Sequence, residues 1–222
     1  MRYLPNGKQM SEADAHTIHE IGIPSLVLME RAALQIVETM HKKNISTEKS
    51  LIVCGSGNNG GDGFAVARLL TEQGKHADVL FAGKEASLSE ECRCQKQIVE
   101  NMGISVFTEF PDEEYTVIID AVFGVGLCRE ITGHYKDVID WMNLQDAEKV
   151  AVDIPSGICA ATGKILGTAF RADLTVCMAC AKLGCELFPG KSYAGESIPV
   201  AIGIDPKYFS NRLDVCYTFD KN

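Results

Sequence analysis

The chain has 222 residues, 46% of them hydrophobic and 23% charged, with a formal net charge of −9. That length allows a sizeable buried core, in one large domain or two small ones, and the mean hydropathy of +0.02 is that of an ordinary globular protein. Lys and Arg are scattered and the pI is about 5.1, which argues against a nucleic-acid footprint. No apolar run approaches the roughly eighteen residues of a membrane span.

The first stretch, MRYLPNGKQMSEADAHTIHE, lacks the apolar centre of a signal peptide, so the cytoplasm is the expected location. Within it, SEADAHTIHEIG predicts a helix with Ser11 as N-cap, Asp14 near the N3 position and Gly22 as the stop. His16 and His19 on that helix read as solvated or packed side chains rather than metal ligands. Pro24 opens a second helix, in which Met29, Ala32, Ala33, Ile36, Val37 and Met40 recur at three- and four-residue steps. Both helices precede the first strand, so they must pack on a sheet formed later in the chain or on another subunit.

From residue 50 the rhythm becomes strand and helix in alternation. Strands are predicted at 51–55, 77–83, 105–108, 116–124, 149–155, 174–180 and 197–204, and helices near 62–73, 89–102 and 135–143. Near-continuous Val/Ile/Leu runs mark strands covered on both faces, as in a parallel sheet. The expected fold is α/β: a three-layer αβα, Rossmann-like sandwich with a mostly parallel central sheet and two N-terminal helices, as a single domain over 1–222. The nine cysteines read as free thiols. Cys177 and Cys180 lie in an apolar strand run, LTVCMAC, where residues three apart face opposite sides, and no second Cys pair or spaced His completes a zinc set. Cys92 and Cys94 fall on a helix and read the same way.

In an open parallel sheet the ligand sits beyond the carboxyl ends of the strands. Those ends carry GSGNNGGDG at 55–63, then Asp120 followed by FGVGLCRE, then Asp153, Pro155, Ser156 and Gly157. The glycines of 55–63 let backbone N–H groups approach an anion, and Asp62 is placed to cap the helix that follows. Gly124 and Gly126 suggest a second cradle. Asp120 and Asp153 are expected to face each other across the crevice as acid/base groups or hard donors. Asn59, Asp120 and Ser156 together make an oxygen set suited to a hard cation.

Gly55, Gly57 and Gly60 fit G-x-G-x-x-G, yet the acid that a dinucleotide-dependent dehydrogenase places after the second strand is missing. That strand ends FAGKE, and Asp78 stands at its start, the opposite edge. No Ser/Cys–His–acid set and no HExxH is present. A hydride-transferring dehydrogenase is therefore disfavoured.

The segments GIPSLVLMERAA (22–33), GSGNNGGDGFAVARLL (55–70), IIDAVFGVGL (118–127), VDIPSG (152–157), AKLG (181–184) and AIGI (201–204) resemble the NAD(P)H-hydrate epimerases, or YjeF N-terminal domains. The resemblance implies interconversion of the R and S epimers of hydrated nicotinamide cofactors, NADHX and NADPHX, which a separate dehydratase repairs only in the S form. It implies that Asn58, Asn59, Gly60, Gly61 and Asp62 contact the substrate, as do Gly124, Val125, Gly126, Leu127, Cys128, Arg129, Glu130 and Asp153. It also implies a potassium ion on Asn59, Asp120 and Ser156. Val125 stands where a threonine is common in the family.

C6 of the hydrated ring is a hemiaminal carbon, so loss of its hydroxyl gives an iminium to which water returns on either face. Asp153 is the expected acid/base, with Asp120 committed to the cation and Lys182 either a supporting charge or a structural ion pair. The alternative within the same fold is a non-catalytic nucleotide-binding or interaction scaffold; Asn59, Asp120, Asp153 and Ser156 together argue against it. The resemblance further implies coupling to a dehydratase, fused in many bacterial relatives, and a homodimer. The tail NRLDVCYTFDKN reads either as the start of a linker or as a terminus.

Overall fold

The computed structural model describes residues 1–210 and 212–219. In chain order the elements are β1 (Arg2–Leu4), α1 (Gly7–His16), α2 (Ser25–Lys42), β2 (Lys49–Cys54), α3 (Asn58–Glu72) and β3 (His76–Phe81). Then follow α4 (Glu90–Asn101), β4 (Val106–Phe107), β5 (Val117–Ala121), α5 (His134–Leu144) and β6 (Glu148–Val152). The last are β7 (Leu174–Met178), α6 (Leu183–Glu186), β8 (Glu196–Val200) and β9 (Cys216–Thr218).

Seven strands form one sheet in the order β4-β3-β2-β5-β6-β7-β8, and every neighbouring pair is parallel. The α/β sandwich expected from the sequence is therefore present. One face of the sheet packs on the first four helices: Met10 and Ala13 of α1, Ile36 and Met40 of α2, Phe64 and Leu70 of α3 and Val99 of α4 share a core with Ile52, Val79, Ile119 and Val176. The other face, through Leu51, Val53, Ile118 and Ala151, packs on Val138, Ile139 and Met142 of α5 and on Phe170. The two early helices thus lie on the protein's own sheet. The α2 residues singled out by their spacing, Met29 through Met40, are all buried, because an apolar stripe of that width must leave water.

Several boundaries differ from the sequence reading. Asn6, not Ser11, caps α1: its side chain accepts from Gln9 N–H (3.0 Å) while the Gln9 side chain accepts from Asn6 N–H (2.9 Å), a reciprocal capping box. Ser11 sits inside the helix and donates to Gly7 O (3.1 Å), so Asp14 is a mid-helix residue. Asp62 does not cap α3, which begins four residues earlier with Gly57 as N-cap. The strands predicted at 116–124 and 149–155 leave the ladder at Ala121 and Val152, and those predicted at 77–83, 174–180 and 197–204 end at Phe81, Met178 and Val200; largely apolar residues such as Val122, Ile154 and Ile202 stay buried in the turns beyond, so hydrophobicity alone extends the prediction too far. Gly22 does end the first helical run, in a left-handed conformation after one π turn.

The tail folds back: β9 pairs antiparallel with β1, matching Leu4 to Cys216 and Arg2 to Thr218. Gln9 Nε2 donates to Asp214 O (2.7 Å) and Arg212 bonds Glu12 (2.5 Å), so the last described residues hold α1 in place. The remainder of the tail, Asn211 and residues 220–222, lies outside the described residues. All nine cysteines are free, with Cys54, Cys92, Cys177, Cys180 and Cys185 buried.

Gly60 illustrates how closely α3 approaches the strand ends. A Cβ there would stand 2.0 Å from Gly55 O, a backbone atom that cannot step aside. At Gly57 a Cβ would meet nothing within 4 Å. Gly60→Ala is expected to lower stability by about 3 kcal/mol or more through steric displacement of the helix. Gly57→Ala should change it by no more than about 1 kcal/mol; chemical denaturation of the two variants checks the contrast.

Candidate active site

The strand order reverses between β2 and β5, so the connections leaving them diverge to opposite faces and open a crevice at the carboxyl edge. A cavity of about 980 Å³ occupies it, bounded by α1, the starts of α2 and α3, the loop after β5 and the ends of β6 and β7. Of the residues expected to bind substrate, Asn58, Asn59, Asp62, Gly124, Val125, Gly126, Leu127, Cys128, Arg129 and Asp153 line this cavity. Gly60 and Gly61 do not: both are buried, Gly60 against Gly55 and Gly61 between Met29 and Cys92, where a Cβ would clash. Glu130 is exposed outside the lining.

Gly57 caps α3 without a side-chain hydrogen bond, so the N–H groups of the first turn are free of intrahelical partners and, with the helix dipole, favour an anion. Lys84 lines the same cavity, on a loop fixed by Ser56, whose hydroxyl accepts from Lys84 N–H (2.9 Å). Phe123 and Tyr135, with ring centroids 4.8 Å apart, give the opposite wall an aromatic surface.

Asp120 does not face Asp153 across open space. It is wholly buried beneath the loops and outside the cavity lining. Oδ1 accepts from Ser156 Oγ (2.6 Å) and Val122 N–H (3.2 Å), and Oδ2 from Ser156 N–H (2.7 Å). Ser156 Oγ in turn accepts from Phe123 N–H (2.9 Å). Burial raises the Asp120 pKa to about 6, against the opposing pull of these hydrogen bonds. Among the described residues no Lys or Arg pairs with it. Asp120 and Ser156 thus bring together a buried carboxylate without a counter-charge among the described residues and a hydroxyl with a spare lone pair, oxygens of the kind a hard monovalent cation takes; the Asn59 amide lies beside Gly124 of the adjoining loop, its Nδ2 an N–H donor buried without a partner.

Asp153 is built differently. Its backbone is left-handed, φ +70°, a strained conformation that Asp tolerates better than most residues. The turn is held because its N–H donates to Val176 O (2.8 Å) and its Oδ1 accepts from Met178 N–H (3.0 Å). Lys182 Nζ, 0% exposed, donates to the same Oδ1 and to Met178 O (2.8 Å). Desolvation alone would lower the Lys182 pKa; Asp153, with Cys177, outweighs it and raises it, so the ammonium stays charged. Of the two roles open to Lys182 in the sequence, a buried ion pair is the one the geometry displays, and the partner is a residue of the cavity wall.

Two further acids reach the cavity. Burial raises Asp14 to about 6, with Asp153 adding to the effect and Lys182 opposing it. Burial, then Asp153 and Asp14, push Asp62 well above the usual carboxylate range. At the other edge of the sheet Asp78 bonds His76 (2.8 Å) and Tyr115 (3.1 Å), with Glu113 nearby but engaged by Lys49 at 2.6 Å.

A family model described as "YjeF-related protein N-terminus" matches residues 25–184, a span that contains α3, the loop after β5, Asp153 and Lys182. The chain belongs to the YjeF-related N-terminal family. It is 42% identical over 201 residues to an NAD(P)H-hydrate epimerase of Oenococcus oeni, covering 90% of this chain and 96% of that one. It is 44% identical to an NAD(P)H-hydrate epimerase of Limosilactobacillus reuteri, over 88% of this chain and 93% of that one. The crystal structure of yeast YNL200c superposes with a TM-score of 0.78 at 19% identity, covering 95% of this chain and 93% of that one, and so shares the fold.

In this YjeF-related chain, sequence reasoning missed Asp14 as a cavity residue and the partnership of Lys182 with Asp153. For Asp14 a signal existed: Asn6-x-x-Gln9 is itself a capping pattern, and taking it as the helix start makes Asp14 a mid-helix acid rather than a terminal one. Lys182→Met should cost about 3–5 kcal/mol, because it leaves the Asp153 carboxylate short of its partner. Adding Asp153→Asn to Lys182→Met should recover part of that loss, a coupling that a double-mutant cycle by denaturation measures.

Proposed function

We propose that this protein interconverts the R and S epimers of hydrated nicotinamide cofactors, NADHX and NADPHX. The observation that carries the reading is the ion-paired Asp153 in the wall of a large cavity, in a chain 41–44% identical to NAD(P)H-hydrate epimerases over about nine-tenths of its length. The substrate's pyrophosphate belongs at the uncapped start of α3, near Asn58, Asn59 and Lys84. The loop 124–129 cradles the rest, and its aromatic neighbours Phe123 and Tyr135 suit a planar ring.

The reacting carbon is C6, bonded to the ring nitrogen and to a hydroxyl. The nitrogen lone pair expels the hydroxyl once it gains a proton; C6–O breaks, its electron pair leaves with the departing water, and an iminium remains. Water then adds to the opposite face, losing a proton to a carboxylate. Asp153 is the base of this proposal: Lys182 and Met178 N–H occupy Oδ1, which orients the group and leaves Oδ2 for the proton. A potassium ion on Asn59, Asp120 and Ser156 would neutralise the buried carboxylate and stiffen the loops after β5 and β6.

Within the cell the reading couples this protein to an S-specific dehydratase, alone or as part of one chain, in the cytoplasm. Leu26, Val27 and Leu34 remain exposed on α2, which supports a homodimer. No helix of the described residues is long and apolar enough to cross a membrane.

Supplied with mixed epimers and excess S-specific dehydratase, the protein should hasten consumption of the R epimer; no acceleration would favour a scaffold. Reaction in ¹⁸O-labelled water should place the label on C6 at each epimerisation. Asp153→Asn, if folded, should lose about 100-fold or more in kcat. Exchanging potassium for tetramethylammonium should lower the melting temperature of the wild type and leave that of Asp120→Asn unchanged, as differential scanning fluorimetry would show.

A further inference from the structure

Asp153 is anchored to the sheet edge by two hydrogen bonds to Oδ1 and by the φ +70° turn. Epimerisation through an iminium needs proton transfer on both faces of the ring: one where hydroxide departs as water, the other where water adds. A single carboxyl fixed this firmly cannot serve both faces. The inference therefore rests on the epimerase reading and asks which group serves the second face.

Four titratable groups cluster here from four elements: Asp14 of α1, Asp62 of α3, Asp153 after β6 and Lys182 before α6. The only cation among them, Lys182, is committed to Asp153. Three ionised carboxylates beside one ammonium would repel one another in a poorly hydrated site. With Lys182 committed to Asp153, the two acids left without a cation are Asp14 and Asp62, both in the cavity lining and both with raised proton affinity.

Of these two, Asp14 has the geometry of a catalytic group. It is half-buried, lines the cavity, and its carboxyl has no hydrogen-bond partner among the described residues, so neither oxygen is committed to structure. The helix beneath it is fixed on three sides. Gly7 sits so close to Val125 O that a Cβ would approach to 2.2 Å. Leu183 N–H, next to Lys182, donates to Pro5 O (3.2 Å) at the entry to α1. Gln9 is tied to Asp214 (2.7 Å) and Glu12 to Arg212 (2.5 Å). A group with free oxygens on an immobilised helix is preorganised for substrate rather than for the fold. Asp62 shares the half-burial, the cavity position and the free carboxyl, but it stands on α3 just past the first turn, at the end of the cleft assigned to the pyrophosphate rather than to the ring.

We propose that Asp14 is the second catalytic acid–base of this cleft, acting on the face of the hydrated ring opposite Asp153. In one direction the Asp14 carboxylic acid gives its proton to the C6 hydroxyl as the C6–O bond breaks. Water then adds from the Asp153 side, and the Asp153 carboxylate takes its proton. In the other direction the roles exchange, and between turnovers the two carboxyls re-equilibrate with solvent through the open mouth of the cleft. No oxidant, reductant or further reactant is needed.

Asp14→Asn tests this directly, because it keeps the shape and removes the proton. Asp14 is held above its unfolded pKa, so ionising it as pH rises through about 6 works against the fold. D14N should consequently melt no lower than the wild type at pH 8, which separates lost chemistry from lost structure. In the coupled assay with R epimer and excess dehydratase, D14N should lose about 100-fold or more in kcat with KM within about threefold. Its kcat/KM profile should also lose the ionisation near pH 6 that the wild type shows. The other ionisable residues of the cleft, Lys84, Cys128, Arg129 and Tyr135, are unaltered in D14N and cannot account for that difference. A D14N enzyme within about tenfold of wild-type kcat, with the same pH profile, overturns the assignment while leaving the epimerase reading intact. A wild-type protein that fails to consume the R epimer overturns both.

Discussion

Asp120 ties together the ends of two adjacent parallel strands. Its carboxylate, at the last turn of β5, is gripped by the backbone and hydroxyl of Ser156 beyond β6, and the same hydroxyl holds Phe123 N–H. Both loops that form the floor of the cleft, 122–130 and 153–157, therefore hang from one buried group. A Cβ at Gly157, φ +94°, would stand 1.9 Å from Thr168 O, so even the neighbour of Ser156 admits no side chain. Burying a carboxylate with no cationic protein partner is costly, and it is accepted here because three hydrogen bonds recover much of the loss.

The same principle, applied with a different partner, organises the cavity wall. Asp153 lies one strand end farther along and is matched with a fully buried Lys182, while burial raises the proton affinity of Asp14 and Asp62 nearby. Environment, not residue type, sorts four aspartates into a structural link, an ion-paired group of the cavity wall and two acids of raised proton affinity. Pushing the proton affinities of neighbouring acids apart is how one site runs acid and base steps at a single pH.

The sheet was readable because each strand is covered on both faces, and continuous Val/Ile/Leu runs follow from that directly. The helices were readable where their apolar stripe was wide, as in α2. Reading failed where two local signals competed. Ser11-x-x-Asp14 and Asn6-x-x-Gln9 are both capping patterns, and the second prevails because Gln9 is also anchored by Asp214, some two hundred residues away. Asp62 resembled a cap because glycines precede it, yet α3 starts within the glycines since Gly60 lets the helix abut Gly55. The strand β1 escaped notice altogether: three residues carry no period, and it exists by pairing with β9.

For this protein the sequence by itself determined the layered α/β architecture, the glycine-rich loop at the first strand end of the main sheet, and the family. Those are consequences of hydrophobic period and of residue types that act within a few positions of one another. Which aspartate is buried, which is ion-paired and which faces the cavity was decided only in three dimensions. Charge state depends on desolvation and on partners from distant segments: Ser156 for Asp120, Lys182 for Asp153, and α1 swung over the cleft for Asp14. No local pattern encodes those distances, because the chain must close on itself before the four carboxyls meet.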